Sequence, residues 1–252
     1  LDWWDVKMAV WVISDLHLSL NQPFVPGSVP QLYKPMATFG EKWYDHVTKL
    51  YINWQRLVAP EDIVFVPGDV SWAMRLPELE YDLGFLGSLP GRIYLSKGNH
   101  DFWWETKNKV APLLPPNVRL LQHEACRAEG LVAAATRGWY CPGSQDFDVE
   151  AAKIYRRECL RVEMALQQAA QLNQEAGGGL ETVLLFHFPP VNDKWDYNEL
   201  IELMQKYQVT RCFYGHLHGG KSAQALQGER WGIEFALVST DFLAHQPLLI
   251  MR

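Results

Sequence analysis

Arg92-Ile93-Tyr94-Leu95-Ser96-Lys97-Gly98-Asn99-His100-Asp101-Phe102-Trp103-Trp104 is the stretch on which the fold turns. An apolar run stops at a glycine, presents Asn99, His100 and Asp101, and gives way to aromatic residues. A strand that ends this way carries polar side chains at its carboxyl end, where ligands lie in open α/β sheets. One polar turn after a strand is common. Here four other apolar runs end in a similar way, at Ser14-Asp15-Leu16-His17, Pro67-Gly68-Asp69, Phe186-His187-Phe188 and Tyr214-Gly215-His216-Leu217-His218.

The runs at 7–14, 63–66 and 182–186 are short and continuous, as expected of buried strands. Trp43, Val47, Leu50, Trp54 and Leu57 recur at helical spacing and predict a helix over 42–58, ended by Pro60. Leu76, Leu79, Leu83 and Leu86 predict a second. Strand, helix, strand, helix, strand implies parallel strands with right-handed crossovers. Beyond Trp104 come a short helix and candidate strands at 118–121 and 131–135. A long helix, capped by Asp146 or Asp148, runs to about 176 and stops at Gly177-Gly178-Gly179. Tyr155, Cys159, Val162, Leu166 and Ala169 form its buried stripe, and Arg156, Arg157, Glu158, Arg161 and Glu163 read as a solvated face. A helix around 197–206 and a strand at 211–214 follow. Residues 221–252 are expected to add antiparallel strands to a second sheet. The loop 19–41, with Pro23, Pro26, Gly27, Pro30, Pro35 and Gly40, is expected to form a lid or one wall of a pocket. With no repeat, low-complexity tract or linker, residues 1–252 read as a single domain.

The 252 residues are 48 % hydrophobic and 21 % charged, a globular composition. A net charge of −6 argues against a broad nucleic-acid-binding face. Cys126, Cys141, Cys159 and Cys212 lack metal-binding spacing and read as reduced thiols of a cytoplasmic protein. No run is long enough to span a membrane. Leu1-Asp2-Trp3-Trp4-Asp5 lacks the basic start and long apolar stretch of a signal peptide.

Five of the eight histidines, His17, His100, His187, His216 and His218, lie at the strand ends with Asp15, Asp69 and Asn99. His46, His123 and His245 lack such a setting and read as surface or packing residues. In extended chain, residues i and i+2 share a side, so Asp15 and His17 can reach one ion. Imidazole and carboxylate without thiolate suit Mn, Fe, Zn, Co or Ni. The donors are too many for one ion; two ions sharing a carboxylate, roughly 3.5–4 Å apart, would use them. Arg137, beside a glycine after a strand, could clamp a phosphate oxygen or make a surface ion pair.

The five ordered blocks resemble those of the calcineurin-like metallophosphoesterase superfamily, from Asp15 to His218. Gly68-Asp69-Val70-Ser71-Trp72-Ala73-Met74, the aromatic pair Trp103-Trp104 and Thr136-Arg137-Gly138-Trp139 are similar to a bacterial subgroup of predicted phosphohydrolases. The resemblance implies a four-layer α/β/β/α sandwich of two mixed β-sheets flanked by helices. It implies two metal ions, Mn²⁺, Fe²⁺/Fe³⁺ or Zn²⁺: one on Asp15, His17, Asp69 and His218, the other on Asp69, Asn99, His187 and His216. His100 would lie beside the leaving-group oxygen, with Asp101 either orienting it or capping the next helix. Two such cations lower the pKa of a bridging water and hold the phosphate for in-line attack.

The protein Ser/Thr phosphatases follow their second block with Asp-Arg-Gly. Here Asp69-Val70-Ser71-Trp72-Ala73-Met74-Arg75 lacks that arginine and aspartate, which argues against a protein phosphatase. The blocks also resemble those of cyclic-nucleotide phosphodiesterases. The Ser-Asp-Leu-His-Leu opening is shared with UDP-diacylglucosamine hydrolases of the lipid A pathway, which typically lack the third-block histidine. The expected activity is hydrolysis of a small phosphomonoester or nucleotide, with no nucleic-acid or membrane partner. Trp72, Trp103, Trp104 and Trp139 are candidates to line the substrate pocket beside Arg137. The competing readings are a phosphodiesterase acting on cyclic nucleotides or other diesters, and a non-catalytic metal-binding scaffold.

Overall fold

The computed structural model describes residues 8–252; the stretch 1–5 and Lys7, the first residue of the predicted leading strand, lie outside them. In chain order the elements are β1 (Val10–Val12), α1 (His46–Leu57), β2 (Ile63–Pro67), α2 (Glu80–Gly87), β3 (Arg92–Ser96), α3 (Lys107–Val110), β4 (Val118–Leu120), β5 (Glu124–Ala128), β6 (Leu131–Thr136), α4 (Val149–Glu175), β7 (Glu181–Phe186), α5 (Glu199–Lys206), β8 (Val209–Tyr214), β9 (Gly228–Arg230), β10 (Ile233–Leu237) and β11 (Leu248–Met251). One sheet has the order β11-β1-β2-β3-β4, the other β5-β6-β7-β8-β10-β9. β1 to β4 pair in parallel, as do β6, β7, β8 and β10. β11 runs antiparallel to β1, β5 to β6 and β9 to β10, so both sheets are mixed.

Period-two alternation sorts each strand's side chains between two apolar layers. Val64, Val66, Ile93 and Leu95 face Val47, Leu50, Trp54, Leu83 and Leu86 of α1 and α2. Val10, Val12, Ile63 and Phe65 point the other way, against Leu131, Ala133, Ala135, Val183, Leu185 and Phe213 of the second sheet. Val132, Ala134, Leu184 and Phe186 then meet Tyr155, Cys159, Val162, Leu166 and Ala169 of α4, with Leu200 and Ile201 of α5. Three apolar layers between helix, sheet, sheet and helix make the expected four-layer sandwich. Asp148 caps α4, its carboxylate accepting the Ala151 N–H at 2.7 Å.

Several expectations are corrected. The first helix begins at His46, because Asp45 takes a left-handed φ of 53° and Glu41–Trp43 forms a separate 3-10 turn. The second begins at Glu80, after a 3-10 turn over Leu76–Leu79 that carries Pro77. β5 was not foreseen: its Glu-Ala-Cys-Arg-Ala sequence has no apolar run, and pairing with β6 makes it a strand. The chain after 221 does not simply add antiparallel strands to the second sheet. β10 is parallel to β8, and β11 crosses back to the first sheet. Glu158 is fully buried, not on a solvated face. Among the described residues, no helix is long and apolar enough to cross a membrane.

Candidate metal centre

The parallel strands of both sheets point their carboxyl ends to the same edge of the sandwich. Asp15 and His17 follow β1, Asp69 follows β2, and Asn99 and His100 follow β3. From the other sheet His187 follows β7, and His216 and His218 follow β8. Asp15, His17, Asp69 and His216 hold left-handed φ values of 62°, 46°, 52° and 71°. For residues other than glycine that backbone is sparsely populated and costs on the order of 1–3 kcal/mol each, so it persists where the surroundings over-determine it. Close backbone approach sets the rest. A methyl group on Gly98 would lie 2.1 Å from Asp69 Oδ1.

The donor atoms converge. His17 Nε2 and His218 Nε2 are 3.3 Å apart, and His218 Nε2 is 3.1 Å from Asp15 Oδ1. His187 Nε2 lies 2.7 Å and His216 Nδ1 2.8 Å from the same atom, Asn99 Oδ1. Asp69 Oδ2 stands between the two groups, 3.8 Å from His17 Nε2 and 3.4 Å from His187 Nε2. Asp15 with His17 and His218, and Asp15 with Asp69 and His187, are each spaced to hold a metal ion. Asp15, His17, Asp69 and His187 are buried.

Charge agrees with geometry. Burial pushes His17 well below its usual range, His187 down to about 4 and His216 down to about 3, so these rings are neutral and keep a lone pair. Burial pushes Asp69 well up, and the neighbouring Asp101 and Asp15 carboxylates push it further. Burial also opposes charge on Asp15, but His218 outweighs it and holds the carboxyl well below the usual range. Crowded carboxylates facing the neutral rings of His17, His187 and His216 are an unfavourable set alone and a suitable one around cations. The donor set fits two ions.

Of the two residues expected to be catalytic, His100 lies beside the donors. Its ring is 5.8 Å from that of His17 and 4.3 Å from that of Trp72, and its N–H donates to Asp69 Oδ1 at 2.8 Å. Asp101 neither orients the His100 ring nor caps a helix. Its buried carboxylate accepts the N–H groups of Asp69, Val70, Ser71 and Gly98 and the Trp103 indole, at 2.8–3.2 Å. It clamps the Asp69 loop to the Asn99 loop.

The expected pocket residues divide. Trp72 stacks on His17 at 4.9 Å and borders the centre. Trp103 is buried, its indole N–H donating to Asp101. Trp139 packs on Phe188, which packs on His216, one layer behind the donors. Arg137 and Trp104 line a separate cavity that none of the seven donors lines. The Arg137 carbonyl accepts the His187 and Phe188 N–H groups.

Three site residues escaped sequence reasoning. Asp241 accepts from His218 Nδ1 at 2.8 Å and from the Gly219 N–H at 3.1 Å, fixing the ring so that Nε2 faces the donors. It follows β10, whose apolar run ends in Ser239-Thr240-Asp241, so the strand-end signal was present. Trp43 sets its ring 5.6 Å from His17 and 5.3 Å from His218. Lys34, from the loop 19–41, places Nζ 3.1 Å over the Trp72 ring, which makes that loop a wall of the site.

The sequence matches the family model of the calcineurin-like phosphoesterases over residues 8–220. The chain belongs to the calcineurin-like phosphoesterase family. The family name implies metal-dependent phosphoester hydrolysis, and the buried Asp and His groups are able to hold the metal. This phosphoesterase shares its fold with a protein of unknown function, AQ665, from Aquifex aeolicus, at 14 % identity and a TM-score of 0.54, over 96 % of this chain and 95 % of that one. It shares it also with the phosphopantetheinyl hydrolase PptH from Mycobacterium tuberculosis, at 18 % identity and a TM-score of 0.55, over 97 % and 96 % of the two chains. No curated protein is a significant match.

Proposed function

We propose that the protein is a single-domain cytoplasmic enzyme that hydrolyses small phosphomonoesters or nucleotides with two metal ions, Mn²⁺, Fe²⁺/Fe³⁺ or Zn²⁺. The observation that carries this reading is the convergence of seven donors from both sheets onto one edge, with His100 beside them. Asp15, His17, Asp69 and His218 would hold one ion, and Asp69, Asn99, His187 and His216 the other. When bound, the ions supply positive charge against the phosphoryl oxygens and a nucleophile active at neutral pH.

The chain's own residues do the rest. Trp72 packs at a tilt against the His100 ring, 4.3 Å away, and no protein group among the described residues hydrogen-bonds that ring, so its nitrogens are free for the leaving-group oxygen. Burial, helped by Lys34, lowers the His100 pKa, and the neutral ring donates an N–H hydrogen bond. The Lys34 ammonium, held over Trp72, adds positive charge at the mouth. Asp101 acts only through the loops it clamps and is a positioning residue.

The test is hydrolysis of phenyl phosphate and of a matched aryl diester by protein stripped and reloaded with Mn²⁺. Monoester turnover is expected; diester turnover alone would move the assignment to a phosphodiesterase. His100→Ala should retain both ions by elemental analysis and lose roughly 10²–10⁴-fold in turnover. Fully metallated wild-type protein that cleaves neither ester would overturn the hydrolase reading in favour of a scaffold.

A further inference from the structure

Beside the metal centre, where β4 passes into β5, the surface forms a half-open cavity of about 530 Å³. Its wall carries Lys97, Lys107, Arg137, Arg157 and Arg161, an unusual gathering for a chain of net charge −6. Two of these cations are matched: Lys107 bonds Glu124 at 2.7 Å, and Arg161 bonds the buried Glu158 at 2.5 Å. Lys97, Arg137 and Arg157 have no acidic partner within ion-pair distance among the described residues. Lys97 Nζ meets only the Trp104 carbonyl, at 3.3 Å. His123, on the same wall, is held neutral by burial and by Arg161 and Arg137, which push it down to about 4. Burial lowers the Arg137 guanidinium; the buried Glu158 opposes this, while Arg161 and Arg157 add to it.

Like charges gathered on the wall of a half-open cavity, with Arg137 and Lys97 partly buried and Arg157 at the rim, repel one another until an anion enters. Guanidinium groups suit phosphate oxygens through paired N–H bonds. Trp104 and Leu120 add an apolar part to the wall, which suits an organic phosphate.

We propose that this cavity binds a phosphate-type polyanion, with Arg137, Arg157 and Lys97 as its ligands. The site adjoins the catalytic edge through both flanks. Lys97 precedes Gly98-Asn99 in the chain, and the Arg137 carbonyl holds His187 and Phe188. The occupant is therefore either a second, non-reacting phosphate of the substrate or a free polyanion bound alongside. The first alternative rests on the hydrolase reading; the existence of the site does not.

The experiment is calorimetric titration with inorganic pyrophosphate of the metal-loaded wild type, Arg137→Gln and Arg157→Glu, and of Asp69→Asn as the variant with the metal centre disabled. Saturable binding is expected in the wild type and in Asp69→Asn, and should weaken by about tenfold or more in either cavity variant. Absence of binding, or loss in Asp69→Asn with none in the cavity variants, would overturn the site. If Arg137→Gln fails to fold, Arg157→Glu decides alone, since Arg157 is exposed on α4. The source is settled by comparing KM for an ester bearing a second phosphate with KM for its monophosphate. A KM advantage that the cavity variants abolish identifies the substrate's own phosphate; no advantage, with pyrophosphate still bound, identifies a free polyanion. Phenyl phosphate turnover by wild-type protein tests the hydrolase reading separately.

Discussion

His218 is the residue whose surroundings are most telling. Burial opposes its positive charge, but Asp15 and Asp241 on either side prevail and push it up to about 10. Asp241 occupies Nδ1, so Nε2 is left facing Asp15 and His17. A carboxylate that fixes the far nitrogen of a ligand histidine sets its tautomer and strengthens it as a donor. Asp241→Asn should therefore weaken metal binding by roughly 10–100-fold while leaving the fold intact. Competition against a chelator of known affinity measures the first, and circular dichroism the second. The seven donors, together with His100, were legible as polar residues that follow apolar runs within one to four residues; their division from His100 was implied by the resemblance. Asp241 also follows an apolar run, that of β10, but the stretch 221–252 read only as antiparallel strands and its strand ends were not distinguished. Asp101 was legible as a strand-end residue but not in its role. Nothing in a tetrapeptide says that a carboxylate will turn back to collect N–H groups from a loop some thirty residues earlier.

At the scale of the elements, a buried acid joins three of them. Asp82 of α2 accepts the Leu20 N–H at 2.8 Å and bonds Ser71 Oγ at 2.5 Å, tying the helix to the strand-end loops after β1 and β2. Burial pushes its carboxyl up to about 7, against the pull of these hydrogen bonds. Between the ordinary carboxyl pKa and that value, the folded chain holds a proton that the unfolded chain has lost. Stability contributed by this group therefore falls as pH rises through that window, by up to about 4 kcal/mol, and the full loss is reached above pH 7. Asp82→Asn keeps an acceptor for Leu20 and offers Ser71 a donor. Its urea-unfolding free energy should fall less than that of the wild type between pH 4 and pH 8; parallel pH profiles would contradict the assignment. This tie was not legible, since Asp82 sits in a predicted helix with nothing to mark it as buried. Glu158 misled for the same reason: helical spacing separates an apolar stripe from a charged one, and the packing of α4 decides where the border falls.

For the whole molecule, the decisive fact is that the donors are divided between two sheets. Asp15, His17, Asp69 and Asn99 belong to one, and His187, His216 and His218 to the other. Ions held by both sheets bind the folded chain and not the unfolded one, and so stabilise it by mass action. At a free metal concentration about 100 times the dissociation constant, each site adds about 2.7 kcal/mol. Chelation should lower Tm by several degrees, and readdition of Mn²⁺ should restore it; a Tm indifferent to metal would mean that the donors do not bridge the sheets. The parallel strands with helical crossovers were legible in continuous apolar runs that alternate with helical stripes, whereas the four-layer sandwich was implied by the resemblance of the five blocks. The destination of the final strand was not, because the run at 248–251 suits either sheet.

That final strand has a consequence for the order in which the protein can be made. β11 covers the outer edge of β1, and β1 carries Asp15 and His17 at its end. On a ribosome, β1 emerges early, and its covering strand some 240 residues later. Throughout that interval β1 is an open template for pairing with another chain. The first sheet closes only after the second has been made, and the last donors, His216 and His218, appear only shortly before closure. Nascent chains are therefore most exposed to misassembly just before metal can be captured, and an interruption upstream of β11 leaves a sticky edge behind a nearly complete centre.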